Sequence, residues 1–354
     1  MPKKNTLLCE QSDVSSIKVC CGRKAAKPGW QIVLLLCMAV SIILLFGMLL
    51  TACNNGESGN SPNTDNIVAT IFPLYDWTRV ILGSNPGGIS VRYLLESGVD
   101  LHNYTPSIQD IASISSCDLF LWVGGKSDGW VLNAMANPRN ENRRNVPIMR
   151  LLTIYETQVF PLEGVVPGEV GGADCCGGET HDEHVWLSLP FAKRFVERIA
   201  EEIAILDPEN ADYYIANATA YIAQLYELHL QFVDMIESSH RDAILVVDRF
   251  PFLYLTIDLG LNFFSAFDGC FAATEISMQR QAELANAVDA LGIDVILIID
   301  NQGVADSVAQ AAGRDVQILT LQDFQSVSSY HIEQGLTYLS GMRQNLESLR
   351  LALR

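Results

Sequence analysis

ENADYYIANATAYIAQLYELHLQFVDMIESS, Glu209–Ser239, runs for about thirty residues without a proline or a glycine. At 1.5 Å per residue that makes a helix of roughly 45 Å. Before it, FAKRFVERIAEEIAIL (Phe191–Leu206) has helical spacing and pauses at Asp207-Pro208, where proline suits a first helical turn. The helical block from Leu189 to about Ser238 predicts a stiff connector that spans two lobes, with an ordinary surface helix broken once as the alternative.

On either side of that block, short apolar, β-branched runs alternate with helical patterns, the signature of βαβ units on a parallel sheet. The first half holds Ile67–Phe72, Ile89–Leu95, Asp118–Val123 and Pro147–Leu151. The second half holds Ala243–Asp248, Asn262–Ala266, Asp294–Asp300 and Val316–Thr320. Four and four predict an α/β protein of two (β/α) lobes, each with a four-stranded, mostly parallel sheet. The lobes are expected at 67–188 and 241–354, with linker helices over 189–240 and a Gly-rich, acidic, His-bearing loop at 164–183. A further amphipathic helix is expected over Gln334–Leu353.

The N-terminal 52 residues have a different character. Lys3, Lys4, Lys18, Arg23, Lys24 and Lys27 precede the apolar run Ile32–Leu50, the basic-then-apolar order of an export signal. The run closes on Leu50-Thr51-Ala52-Cys53, the pattern cut by a lipoprotein signal peptidase, which leaves Cys53 to carry lipid. The alternative is an uncleaved membrane anchor, since nineteen mostly apolar positions approach the ~20 that span a bilayer. Either way the downstream domain lies outside the cytoplasm. Residues 53–66, with the polar NNGESGNSPNTDN, read as a flexible tether.

Six of the 23 basic and two of the 41 acidic side chains precede Cys53, which leaves 17 against 39 in the remainder. Such an acidic excess repels phosphate backbones and argues against a nucleic-acid partner. Beyond Cys53 the cysteines are Cys117, Cys175, Cys176 and Cys270, without the spacing of a zinc ribbon or a small disulfide scaffold.

The chemistry-bearing candidates are few. His102 sits in GVDLHNYTP (Gly98–Pro106), after the strand expected at Ile89–Leu95, where open α/β sheets place their ligands. A lone loop histidine is more often a plain surface residue. His184 lies in HDEHVWL (His181–Leu187), with Asp182 placed to orient an imidazole as an outer-shell acceptor. His181 and Glu183 read as auxiliary metal-capture groups, or as part of a solvated acidic loop. His229, His240 and His331 fall on helical patterns away from strand ends. Asp248 and Asp300 each close an apolar strand, a costly place for an acid unless it is paired, hydrogen-bonded or bound to a cation. Helix N-capping is the other reading of both. Glu275, in GCFAATE, is a third acidic candidate.

Together these segments resemble the metal-binding lipoproteins of bacterial ABC importers for zinc and manganese. The resemblance covers about Ile67–Leu353. It rests on IVATIFPLYDWTRVI, on GVDLHNYTPSIQD ahead of a strand ending in WVGG, on DEHVWLS, and on AILVVDRFPFLYLTIDLGL. It implies one long rigid helix between the lobes and a metal in the cleft. Carried over by position, the first-lobe ligands are His102 and His184. At the third ligand position stands Arg249, which has no lone pair to give, and neighbouring Asp248 is taken as its substitute. Asp300 is taken as the fourth ligand, with Asp306 and Glu275 as alternatives.

Two imidazoles and two carboxylates form a set that zinc accepts tetrahedrally at ~2.0–2.2 Å, and that manganese also accepts. The neutral histidines and the acidic loop favour Zn2+ over Mn2+. The resemblance further implies a lipid-anchored monomer at the outer face of the cell membrane that hands its metal to an ABC permease and its ATPase. An extracellular zinc hydrolase is disfavoured, because no H-E-x-x-H or G-x-S-x-G is present. A lipoprotein adhesin with an incidental metal is the other rival.

Overall fold

In the computed structural model, which describes residues 66–154, 182–267 and 276–354, the two groups of apolar runs become two sheets. The first joins β1 (Ile67–Ala69), β2 (Val91–Tyr93), β3 (Leu119–Trp122) and β4 (Arg144–Pro147) in the order β2-β1-β3-β4. The second joins β5 (Ala243–Val246), β6 (Asn262–Ser265), β7 (Val295–Ile298) and β8 (Gln317–Thr320) in the order β6-β5-β7-β8. The pairings are parallel, with Ile67 opposite both Val91 and Leu119, and Val246 opposite both Ser265 and Leu297. The central strands β1 and β7 are buried on both faces, as the unbroken apolar runs IVA and VILI require.

One strand lies earlier than its expected place. Pro147–Leu151 supplies only the last residue of β4, and the apolar run beyond it is helical over Ile148–Ile154. The strand itself reads Arg-Asn-Val-Pro. An edge strand half open to solvent needs few apolar residues and tolerates a proline, so its sequence carries little strand signal. Arg144 on this edge pairs with the buried Glu202.

Around the sheets lie α1 (Phe72–Leu82), α2 (Ile108–Ser116), α3 (Val131–Met135) and α4 (Ile148–Ile154), then α5 (Leu189–Leu206) and α6 (Ala211–Glu237). The second lobe adds α7 (Leu253–Leu259), α8 (Met278–Ala290), α9 (Gln302–Ala312), α10 (Ser329–Glu333) and α11 (Tyr338–Ala352). Helix α6 buries Tyr214, Ala218, Tyr221, Leu225, Leu228, Phe232 and Met235. Their alternating spacing of four and three residues places all seven on one stripe. That stripe packs along α5 and reaches α1 beside the first sheet and α7 and α11 in the second half. One apolar core therefore runs continuously from Ile67 through α5 and α6 to Leu353, while the far face of the second sheet has a smaller core around Leu245, Val247 and Ile296. Lobes that share a close-packed core have little room to hinge.

The expected helix over Gln334–Leu353 is interrupted at its start. Gly335 adopts φ +88°, and Thr337 caps α11 through a capping box with Ser340. The new helix start is held by the first lobe: the backbone N–H of Tyr338 donates to Asp76 Oδ2 at 2.9 Å. Among the described residues no helix is long and apolar enough to cross a membrane. The expected signal, the tether and Cys53 lie outside the described residues.

Candidate metal centre

The chain brings its chemistry together at the C-terminal edges of the strands, where doubly wound sheets present ligand-binding loops. After β2, a single 3-10 turn (Leu101–Asn103) carries His102. Asp100 caps that turn by accepting the His102 backbone N–H at 2.8 Å through Oδ1. After β3, the turn Lys126–Asp128 places Ser127 Oγ 2.6 Å from His102 Nδ1. Glu183 Oε1 lies 3.2 Å from the same nitrogen, and Glu183 also accepts from the hydroxyl and the backbone N–H of Ser127.

The WVGG motif (Trp122–Gly125) makes this packing possible. Gly124 sits at φ +94°, and any side chain on Gly125 would run into Glu183. Burial pushes the Glu183 carboxyl up. Hydrogen bonds from His102 and Ser127 and the charge of both histidines outweigh that and leave it below its usual range. Beside it, burial and then the Glu183 charge push Asp128 up to about 7, against the N–H groups of Gly124 and Val123.

His184 is held in the same manner by a different carboxylate. Asp182 Oδ1 accepts the His184 backbone N–H at 2.8 Å and lies 3.0 Å from its Nδ1. The hydroxyl of Tyr254, from α7 of the other lobe, donates to the Asp182 carbonyl at 2.9 Å. The His184 ring stands edge to face with His102 at 5.4 Å between centroids, and against Trp186 at 5.1 Å. Trp186 Nε1 in turn donates to the Asp323 carbonyl at 2.8 Å, so the second lobe fixes the back of the pocket. The Asp323 loop is braced by Phe324, a non-glycine residue at φ +62°, whose ring stacks on Phe72. Asp323 is buried. Burial raises its carboxyl, opposed by the Gln325 N–H and by the charges of Arg249 and His184.

Imidazoles anchored at Nδ1 by carboxylates have the arrangement that presents Nε2 to a metal, because the outer-shell acceptor fixes tautomer and ring orientation. The acidic candidates fare differently. Asp248 is buried, but its oxygens accept four backbone N–H groups: Arg249 at 2.8 Å on Oδ1, and Ile299, Asp300 and Asn301 at 2.9–3.0 Å on Oδ2. These bonds give Asp248 a structural role that ties β5 to the loop after β7, and they leave Oδ1, with its single bond from Arg249, the oxygen with acceptor capacity to spare. Glu183, expected as an auxiliary capture group or as part of a solvated acidic loop, is buried against His102.

Asp300 reaches the cleft with a side chain 71% exposed, 3.5 Å from Arg249 Nη2. Asp306 lies on the exposed face of α9 and accepts from Gln302. His181, Glu275, Cys175, Cys176 and Cys270 lie outside the described residues. Among the described residues, no three of His, Cys, Asp and Glu converge as a ready metal cage. Where a third ligand would stand, the guanidinium of Arg249 bridges Asp100 and Asp300. Sequence reasoning had no handle on Ser127 or on the Asp100–Arg249 pair, since each acquires its role from a segment distant in the chain.

With this geometry in hand, residues 67–352 match the model of the family described as zinc-uptake complex component A, periplasmic (ZnuA). The chain is 29% identical over 299 residues to a zinc-binding protein AdcA of Streptococcus pyogenes, which covers 80% of this chain and 55% of that relative. It thus spans about half the length of the AdcA relatives it matches. It is 26% identical over 312 residues to the high-affinity zinc uptake system protein ZnuA of Bacillus subtilis, covering 86% of this chain and 94% of that one. The Zn(II)-bound ZnuA-like domain of Streptococcus pneumoniae AdcA superposes with a TM-score of 0.65 at 26% identity, covering 82% of this chain and 99% of that domain. The family match runs from β1 into α11 and takes in the His102 and His184 loops and both sheets, and the chain accordingly belongs to the ZnuA family of periplasmic components of zinc-uptake complexes.

Proposed function

We propose that this chain is an extracytoplasmic receptor that captures a zinc ion between its lobes and delivers it to an ABC permease driven by its ATPase. The observation that carries the reading is the pair of buried imidazoles, edge to face at 5.4 Å, each backed by its own carboxylate. Paired neutral imidazoles suit zinc better than manganese, which favours harder oxygen donors. His102 and His184 would supply two nitrogens, and Asp300 would be the carboxylate that joins them once released from Arg249. His181 in the acidic loop would serve as an auxiliary capture group. Cleavage before Cys53 and lipidation of that residue would hold the receptor, as a monomer, on the outer face of the membrane. Membership of a solute-binding family supports a receptor over a hydrolase.

The receptor's own residues account for capture and release in physical terms. Both imidazoles ligate only when Nε2 carries no proton, so binding weakens as the pH is lowered through the histidine range. The shared core restricts the lobes to small tilts, which leaves the cleft loops to open and close the site.

Elemental mass spectrometry on the full chain, purified untagged in detergent and offered equimolar zinc and manganese, tests the reading. One zinc per chain, lost in the His102→Ala/His184→Ala variant, is the expected result. Retained manganese would change the cargo. No bound metal under either condition would overturn the receptor reading in favour of the adhesin.

A further inference from the structure

Arg249 brings to the cleft a charge of the same sign as the cargo. Its Nη1 pairs with Asp100 of the first lobe and its Nη2 lies 3.5 Å from Asp300 of the second. Only 12% of the arginine side chain and 13% of the Asp100 side chain are exposed, so this is a largely buried pair between lobes. Asp100 is also the residue whose other oxygen caps the turn bearing His102. One guanidinium fork therefore reaches both the cradle of a candidate ligand and the carboxylate that the family resemblance offers as a further ligand.

We propose that Arg249 is the affinity- and specificity-determining residue of this site, a resident cation that an incoming metal ion must displace from Asp300. The proposal rests on the two-histidine reading above and deepens it. A guanidinium is permanently charged and accepts no metal. While it holds Asp300, a metal entering at the imidazoles gains two nitrogens and meets a neighbouring positive charge. Capture of Asp300 requires the fork to let go of that carboxylate, and the energy of the ion pair is subtracted from the metal's affinity.

The structure provides a place for the displaced group. Arg249 forms part of the wall of a cavity of about 360 Å³ that Asp300 also borders and that extends past it to Gln322, Asp323, Ser326 and His331. The Asp323 carboxylate there already acts on the arginine's charge. The consequence for selectivity follows from ligand hardness. Withholding a carboxylate oxygen weakens manganese, which depends on oxygen donors, more than zinc, which the two imidazoles hold well.

Competition of the full-length chain in detergent with a chromophoric zinc chelator, repeated with manganese, decides the matter. R249Q should bind zinc at least roughly tenfold more tightly than the wild type, and its preference for zinc over manganese should narrow. R249K, which keeps the charge, should stay close to the wild type. R249H, which adds a third imidazole, should bind more tightly than R249Q. Adding D300N to R249Q should remove the gain, because the released carboxylate is then gone.

Zinc bound by R249H but not by the wild type would overturn the receptor reading, because the added imidazole rather than the released Asp300 would then supply the binding. Zinc binding that depends on His102 but is equal or weaker in R249Q would overturn the role of Arg249 and leave the receptor reading standing. No zinc on either the wild type or R249H would overturn both.

Discussion

The imidazoles of His102 and His184 meet edge to face, with centroids 5.4 Å apart and planes inclined at 63°. They come from loops after different segments of the first lobe, and each is gripped from behind by an acid of the dipeptide Asp182-Glu183. Asp182 holds His184, its near neighbour in sequence, whereas Glu183 holds His102 across the fold. Adjacent carboxylates thus orient both rings.

Under the proposed assignment, removal of either ring would remove a direct ligand. His102→Ala and His184→Ala should each weaken zinc by more than the roughly 10–100-fold typical of an outer-shell change, with far-ultraviolet circular dichroism unchanged. Chelator competition measures the first and the spectrum the second. Tight zinc uptake by the double variant would refute the assignment.

Glu183→Gln keeps the shape but loses the charge that orients His102. Zinc affinity should fall roughly 10–100-fold, while the stoichiometry stays at one. An unchanged dissociation constant would show that Ser127 alone suffices to hold the ring.

Asp248 separates a structural acid from a ligand. Asp248→Asn sets an amide N–H against backbone N–H donors and should cost about 1–3 kcal/mol in denaturant unfolding. Zinc affinity of the folded variant should stay near the wild type. A stable protein that has lost zinc would restore Asp248 to the ligand set.

Tyr254→Phe should cost about 1–3 kcal/mol by leaving the buried Asp182 carbonyl without the hydroxyl it accepts from. Thermal melts of the metal-free protein would register the loss.

Buried acids outside the site give the metal-free form a definite pH dependence. Burial pushes Asp76 up to about 6, against the N–H of Tyr338 and the charge of Arg79, and pushes Asp258 up to about 6 as well. A carboxyl whose folded value lies above its unfolded one stabilises the fold when protonated, and that contribution is lost as pH rises through the folded value. Stability of the metal-free chain should therefore fall between about pH 4 and pH 7. Asp76→Asn should flatten the fall by on the order of 1–3 kcal/mol. A wild-type melting temperature that rises over this window would contradict the account.

The sequence by itself determined the architecture, because apolar periodicity follows directly from which faces are buried. The short apolar runs alternating with helical patterns announced two four-stranded parallel sheets, and the stretch from Glu209 to Ser239 without proline or glycine announced one long helix between them. It failed at β4, where an edge strand needs no apolar residues, and at Gly335, where one left-handed residue ended a pattern that periodicity carried through. It also marked His102 and His184, since each stands in a loop motif of its own.

What the acids and the arginine do was decided by the tertiary structure alone. Asp248, Asp300 and Glu183 look alike in sequence. One accepts four backbone donors, one is exposed beside a guanidinium, and one is buried against a histidine, because a carboxylate's role depends on which donors surround it. Those donors come from segments that only folding brings within hydrogen-bond reach.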